Sequence, residues 1–291
     1  MFLFRSMGFF IVMKKLAIAV FVLICSVQCT VDQSAPNGKL IIIGGGSRPD
    51  SLVERIIEES KLRTGGYCVI LPMSSEDPDS SVYYASQQFL KMGITRLYGF
   101  NFKKDQPIKT SWIDSIKSAN LIYITGGDQA RFMNIVAGTE IEKAIHEAYQ
   151  KGSVISGTSA GAAVMSKLMI TGNELKHKEY SATFQTIEPG NIEITQGLGL
   201  LTTAIIDQHF LIRSRHNRLI TAVIEHPDMT CIGIDESTAI LVSGKDIEVL
   251  GDSQVLVFEN PDRSRLTKNE KFGARKIQLN VYLPGEKFKI R

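Results

Sequence analysis

From Lys39 onward the sequence alternates between two textures, and this alternation limits the fold more than any other feature. Apolar, β-branched runs, KLIIIGGG, YCVILPM, ITRLYGF, NLIYITGG and SVISGTS, are separated by amphipathic stretches of helix length near 50–63, 81–92, 111–118 and 138–151. Runs that are apolar throughout suit strands buried on both faces, as in a parallel sheet wrapped by helices. Ligands of such sheets bind beyond the carboxyl ends of the strands, and three of those ends carry glycine: Gly44-Gly45-Gly46, Gly126-Gly127 and Gly157. After about residue 230 shorter runs, CIGID, TAILVSG, DIEVLG, SQVLVFE and KIQLNVYL, read as a further portion of sheet in the same domain. The polar tract from Asp262 to Lys276 reads as a solvated loop. The expected fold class is α/β, a doubly wound and mostly parallel sheet with extra C-terminal strands.

The N-terminus differs in kind. Lys14-Lys15 precede LAIAVFVLICSVQC, which has the length of a signal-peptide core and is short for a membrane span. Residues 1–29 are therefore expected to direct export, with 30–38 a linker and 39–291 the catalytic domain. The run ends on Cys29 before the polar TVDQSAPNG, the arrangement of a bacterial lipoprotein signal, although Gln28 stands where a small residue is usual. A retained anchor helix from Phe2 to Val27 is the competing reading if Met1 is the true start. With 44% hydrophobic residues, 22% charged residues and a formal charge of +3, the whole sequence has a globular composition that calls for no nucleic-acid partner. Cys68 and Cys231 sit inside apolar runs as expected inert thiols, and the histidines lack metal-ligand spacing, so no metal is expected.

The chemistry concentrates at strand ends. Gly157-Thr158-Ser159-Ala160-Gly161 is a G-x-S-x-G, which holds a serine exposed on a sharp strand-to-helix turn; the amide of Ala160 opens the following helix, where an oxyanion could form. Such a serine needs a base, and AIIDQHFLIRSRHNRL supplies His209 at the end of an apolar strand. Arg213, Arg215 and Arg218 follow, read either as a solvated basic face or as forks for substrate carboxylates, while His216 and Asn217 read as surface helix residues. For the acid that orients the base, Asp235 and Glu236 end another strand, and Glu174 and Glu179 are further candidates; spacing alone does not choose. Gly44-Gly45-Gly46 invites a dinucleotide-binding reading, but Pro49 stands where G-x-G-x-x-G needs its third glycine.

Taken in order, ITGGDQ (124–129), SGTSAGA (156–162), DQHFLIRSRHNRL (207–219) and IGIDESTA (232–239) resemble the cyanophycinases, members of the serine peptidase family that also contains aspartyl dipeptidase. The resemblance runs from about Lys39 to Glu259 and implies a flavodoxin-like fold similar to class I glutamine amidotransferases. It implies Ser159 as nucleophile, His209 as general base and Glu236 as the orienting acid. It also implies an oxyanion hole from the amides of Gly127 and Ala160, and a substrate pocket of Gln129, Asp207, Gln208, Arg213, Arg215 and Arg218. No cofactor is implied. The implied substrate is cyanophycin, a polyaspartate backbone bearing arginine on each side-chain carboxyl, or a related β-aspartyl peptide. An aspartyl dipeptidase and an inactive peptide-binding surface lipoprotein are the competing readings. Expected partners are the peptide or polymer, the membrane through a lipidated Cys29, and a second copy of the chain.

Overall fold

The computed structural model describes residues 35–179, 181 and 183–290; the apolar N-terminal run and Cys29 lie outside the described residues. Strand β1 (Lys39–Ile43) leads to α1 (Asp50–Glu59), β2 (Cys68–Leu71), α2 (Pro78–Lys91), β3 (Leu97–Gly99), α3 (Thr110–Ser118), β4 (Leu121–Ile124), α4 (Gln129–Val136), α5 (Glu140–Lys151) and β5 (Val154–Thr158). The chain continues through α6 (Ala160–Ala163), β6 (Leu168–Glu174), β7 (Ile192–Gln196), β8 (Ala204–Gln208), α7 (His216–Glu225), β9 (Thr230–Ile234) and β10 (Thr238–Ser243). It ends with β11 (Asp246–Gly251), β12 (Val255–Glu259), β13 (Leu266–Lys268), β14 (Lys271–Gly273), β15 (Gln278–Tyr282) and β16 (Lys287–Lys289).

The main sheet has eight strands in the order β16-β11-β10-β1-β5-β4-β2-β3. From β1 to β3 every pairing is parallel, and β10, β11 and β16 extend the sheet antiparallel beyond β1. A second sheet, β15-β12-β9-β8, holds β8 and β9 parallel across the α7 crossover. The C-terminal runs are therefore shared between two sheets rather than added to one. The tract 262–276, expected to be a loop, contains the exposed hairpin β13–β14. Asn269 and Glu270 both take positive φ, the geometry of a two-residue hairpin turn, and Phe272 fastens the hairpin by donating its amide to the Ile187 carbonyl at 2.9 Å.

Period-two alternation sorts each central strand between two cores. Leu40, Ile42, Val69, Leu71, Ile122 and Ile124 face one side, packed on Ile113 and Ile116 of α3, Phe132 of α4 and Ile145 of α5. Ile41, Ile43, Cys68, Ile70, Leu121 and Tyr123 face the other, packed on Leu52, Val53, Ile56 and Ile57 of α1 and Phe89 of α2. Each such aliphatic side chain contributes about 1.5–3 kcal/mol by leaving water, so truncating Ile56 to Ala should cost about 2–5 kcal/mol. Helix starts are written locally: Asp128 Oδ1 accepts from Ala130 N at 2.7 Å and Arg131 N at 3.2 Å, and Thr139 Oγ1 accepts from Ile141 N at 3.2 Å. Gly152, at φ +114°, ends α5 where a side chain would strain the turn into β5. No helix among the described residues is long and apolar enough to cross a membrane.

Candidate active site

The glycines around Ser159 are required by contact. A Cβ on Gly157 would lie 2.2 Å from the Gly161 carbonyl oxygen, and one on Gly161 would lie 2.2 Å from that of Ile124. With both bare, α6 closes directly onto β4 and β5, and the turn between them holds Ser159 at φ +54°, ψ −112°. Such a backbone costs about 1–3 kcal/mol, and here the end of the neighbouring parallel strand holds it, since Ser159 N donates to Ile43 O at 3.0 Å. Gly126, just past β4, flanks the serine: a Cβ there would sit 3.4 Å from Ser159 Cβ. Gly127 takes φ +137° against the Ser74 carbonyl, where a Cβ would fall 2.1 Å from the oxygen.

Ser159 Oγ stands 2.8 Å from His209 Nε2, and His209 Nδ1 stands 2.5 Å from Glu236 Oε1. A carboxylate can only accept, so Nδ1 carries the proton and donates it, leaving the Nε2 lone pair for the serine hydroxyl. His209 is held in a left-handed conformation, φ +49°, by its own amide donating to Gly44 O at 2.7 Å and by Phe210 N donating to Ile234 O at 3.2 Å. Burial pushes the imidazole below its ordinary value, opposed by the Glu236 hydrogen bond and reinforced by the charges of Arg213 and Arg215, so the neutral ring is favoured. An aligned hydroxyl, a neutral imidazole and an orienting carboxylate can together deprotonate the serine as it attacks a carbonyl.

The two acids at the end of β9 have separate tasks, which spacing could not assign. Glu236, 37% exposed, meets the histidine, whereas Asp235 Oδ1 accepts from Leu211 N at 3.1 Å and Ile212 N at 3.2 Å, and its Oδ2 from Ser253 Oγ at 2.8 Å. Asp235 thereby fixes the turn that follows His209. Neither Glu174 nor Glu179 takes the orienting place: Glu179 is exposed, and Glu174 Oε2 accepts from Asn191 at 2.6 Å. Glu174, His177 and Glu188 form a trio whose potential ligand atoms lie within 4.8 Å of one another, but His177 already meets Glu188 at 2.6 Å and the Lys271 ammonium lies 3.4 Å from Glu188.

The triple glycine after β1, which from sequence resembles a nucleotide turn, is the wall of this relay. A Cβ on Gly45 would lie 2.3 Å from His209 Cε1, and one on Gly46 would lie 2.8 Å from the Glu236 carboxylate. No sequence signal linked these glycines to residues so far along the chain.

The arginines divide. Arg218, 3% exposed, forks onto Asp207, with Nε to Oδ2 at 2.6 Å and Nη2 to Oδ1. Buried Arg215 donates from Nη1 to the Gln208 carbonyl at 2.7 Å and to Gln208 Oε1 at 2.6 Å. Expected to fork substrate carboxylates, both arginines here turn donors to Asp207 and Gln208, residues buried at the end of β8 immediately before His209. Gln129 is likewise buried, donating from Nε2 to Ile170 O at 3.0 Å and Thr171 O at 2.6 Å. Arg213 is exposed, and its guanidinium has no partner among the described residues. His216 and Asn217 are half-buried rather than surface residues, His216 packing on Phe210 and Asn217 donating to Phe184 O at 2.7 Å.

Comparisons with known proteins point the same way. The sequence model of peptidase family S51 matches residues 40–250. A cyanophycinase of Nostoc sp. (strain PCC 7120) is 28% identical over 276 residues, covering 91% of this chain and 89% of that protein. The cyanophycinase of Thermosynechococcus vestitus is 26% identical over 90% of this chain and 82% of its own length. A peptidase E of the same Nostoc strain is 24% identical over 55% of this chain and 64% of that protein. Among solved structures, a peptidase from an acI-B1 actinobacterium superposes with a TM-score of 0.62 at 21% identity, covering 87% of this chain and 97% of that one. That likeness carries the fold alone. The family match spans most of the chain and includes the serine elbow, and the chain belongs to peptidase family S51, whose members are serine peptidases.

Proposed function

We propose that this peptidase is an exported serine exopeptidase that cleaves cyanophycin, or related β-aspartyl peptides, to β-Asp-Arg dipeptides. The observation that carries the reading is the hydrogen-bonded series from Ser159 through His209 to Glu236 at an open cleft. Ser159 Oγ attacks the aspartyl carbonyl while His209 Nε2 takes its proton, and the imidazolium so formed is stabilised by Glu236. The amides of Gly127 and Ala160 receive the oxyanion, the latter with the partial positive charge of a helix start behind it. His209 then returns the proton to the leaving amine. Water, deprotonated by the same imidazole, releases the acyl group from Ser159. Arg213, exposed beside the histidine, meets a substrate carboxylate, while Arg215, Arg218 and Gln129 act indirectly by fixing the end of β8 and the middle of β6.

Cyanophycinases match over nearly the whole chain and peptidase E over about half, which supports the polymer-degrading member over the dipeptidase. The N-terminal apolar run and Cys29 support export with lipid attachment. Incubating protein that lacks residues 1–29 with cyanophycin, β-Asp-Arg-containing peptides and α-aspartyl dipeptides, and resolving the products, tests the substrate. Hydrolysis of α-aspartyl dipeptides alone would transfer the chain to the dipeptidase reading. Cys29→Ser in the full chain should release it from membranes, and a wild type that remains in the cytoplasm would refute export.

A further inference from the structure

The cleft beside Ser159 also reaches Arg48 and the N-terminal half of α2, which have no role so far. Its 430 Å³ are lined by Arg48 after β1, by Asp77 and Tyr84 from the cap and first half of α2, and by Tyr123 of β4, together with Ser159 and His209. Arg48 is fastened in place without a counter-ion: Nε donates to Gln88 Oε1 at 2.5 Å and Nη1 to Gly46 O at 3.0 Å, and it makes no ion pair among the described residues. Two of its five N–H donors are thus spent on orientation and the rest are left over. At the floor of the cleft Tyr123 is 1% exposed, and its hydroxyl has no hydrogen-bond partner among the described residues. A buried hydroxyl left unsatisfied costs about 1–3 kcal/mol, which a ligand atom or water would recover.

The one carboxylate on the wall is not available to a cation in the same degree. Asp77 caps α2, accepting from Ser80 N at 3.2 Å and Ser80 Oγ at 2.6 Å, and these bonds hold it below its ordinary value, ionised and occupied. The spare hydrogen-bonding capacity of the cleft is therefore mainly of the donor type, and a carboxylate is its complement. Tyr84 stands at the rim, 69% exposed, its ring set edge-to-face with Tyr83 at 5.3 Å, and that exposure lets it stack against a planar cation.

We propose that this cleft is a specificity subsite for the arginyl branch of the substrate, with Arg48 and the Tyr123 hydroxyl taking the arginyl α-carboxylate and Tyr84 stacking on its guanidinium. The subsite rests on the β-aspartyl-arginine reading above and names residues that reading leaves unassigned. It explains why an arginine held from two sides carries no acid partner beside a reactive serine.

The probes are β-Asp-Arg and its arginyl α-carboxamide, titrated calorimetrically into wild type, Arg48→Met and Tyr123→Phe, with cyanophycin turnover measured in parallel. The free acid should bind wild type at least tenfold more tightly than the amide. Arg48→Met should bring the two within about threefold, and Tyr123→Phe should weaken the acid more than the amide. Turnover with an acid-to-amide preference that Arg48→Met leaves unchanged, or no preference in wild type, overturns the subsite and leaves the proposed function standing. An Arg48-dependent preference without turnover keeps the subsite and overturns the function. Neither binding nor turnover overturns both.

Discussion

Gly45→Ala is a one-methyl perturbation that should disable His209 while leaving the fold in place. The added carbon would lie 2.3 Å from His209 Cε1, 2.6 Å from Nε2 and 2.7 Å from Nδ1. Ordinary carbon contacts begin near 3.5 Å, so the ring must retreat by roughly 1 Å, and it cannot do so while keeping both Ser159 at 2.8 Å and Glu236 at 2.5 Å. A misplacement of about 1 Å at a reacting group costs on the order of 10²-fold in rate. The substitution also places alanine at φ +116°, a backbone strain of about 1–3 kcal/mol. Gly65→Ala separates these effects: it carries comparable strain at φ +99° with nothing within 4 Å of the new Cβ. Both variants should lose a few degrees of melting temperature, about 2–4 °C per kcal/mol for a domain of this size. Only Gly45→Ala should lose kcat on a β-Asp-Arg peptide, by about two orders of magnitude. If Gly45→Ala keeps kcat within threefold of wild type, His209 is not the base.

Three further outcomes follow from the division of the arginines and from the state of the histidine. Arg218→Ala strips buried Asp207 of its fork and leaves it with Arg215 Nη1 at 3.6 Å and the Gln208 amide at 2.7 Å, so it should destabilise by up to about 3–5 kcal/mol, read as a large fall in melting temperature, with Arg218→Lys failing to restore the fork. Arg213→Ala, at an exposed guanidinium, should leave the melting temperature within about 1 °C, as surface changes do, while raising KM for acidic substrates. Because burial lowers the His209 pKa, the acidic limb of kcat/KM should have its midpoint below the ordinary 6.5, and Arg213→Gln should move it upward by removing a repelling charge. The same lowering gives a stability contribution that is full above the unfolded value and is lost as pH falls through the folded one, since the unfolded chain then binds the extra proton.

The sheet was legible because its strands report their surroundings directly: LIII (40–43) and LIYI (121–124) are apolar at every position, which only burial on both faces tolerates. The serine elbow was legible for a similar reason, since its glycines answer contacts within a few residues and with one adjacent strand. What spacing could not supply was the set of contacts made across the carboxyl ends of separate strands. Gly45 and Gly46 look like a phosphate-binding turn from β1 alone, and their reason lies in His209 and Glu236, which arrive from β8 and β9. Asp235 and Glu236 are chemically close and adjacent, and only the turn after β9 sends one to the histidine and the other to the Leu211 and Ile212 amides. Arg213, Arg215 and Arg218 read as one cluster if placed on a helix, but α7 begins at His216. The preceding turn, with His209 and Ser214 at positive φ, exposes the first arginine and buries the second.

The most direct test of the account is the turnover of cyanophycin or a β-Asp-Arg peptide by protein lacking residues 1–29, measured beside its Ser159→Ala variant. The substitution removes one oxygen from a half-exposed turn, so circular dichroism and substrate binding should stay near wild type. Loss of the nucleophile should lower kcat by several orders of magnitude, because Ser159 and His209 act as one unit. A folded Ser159→Ala variant that retains a tenth or more of wild-type turnover would contradict the mechanism.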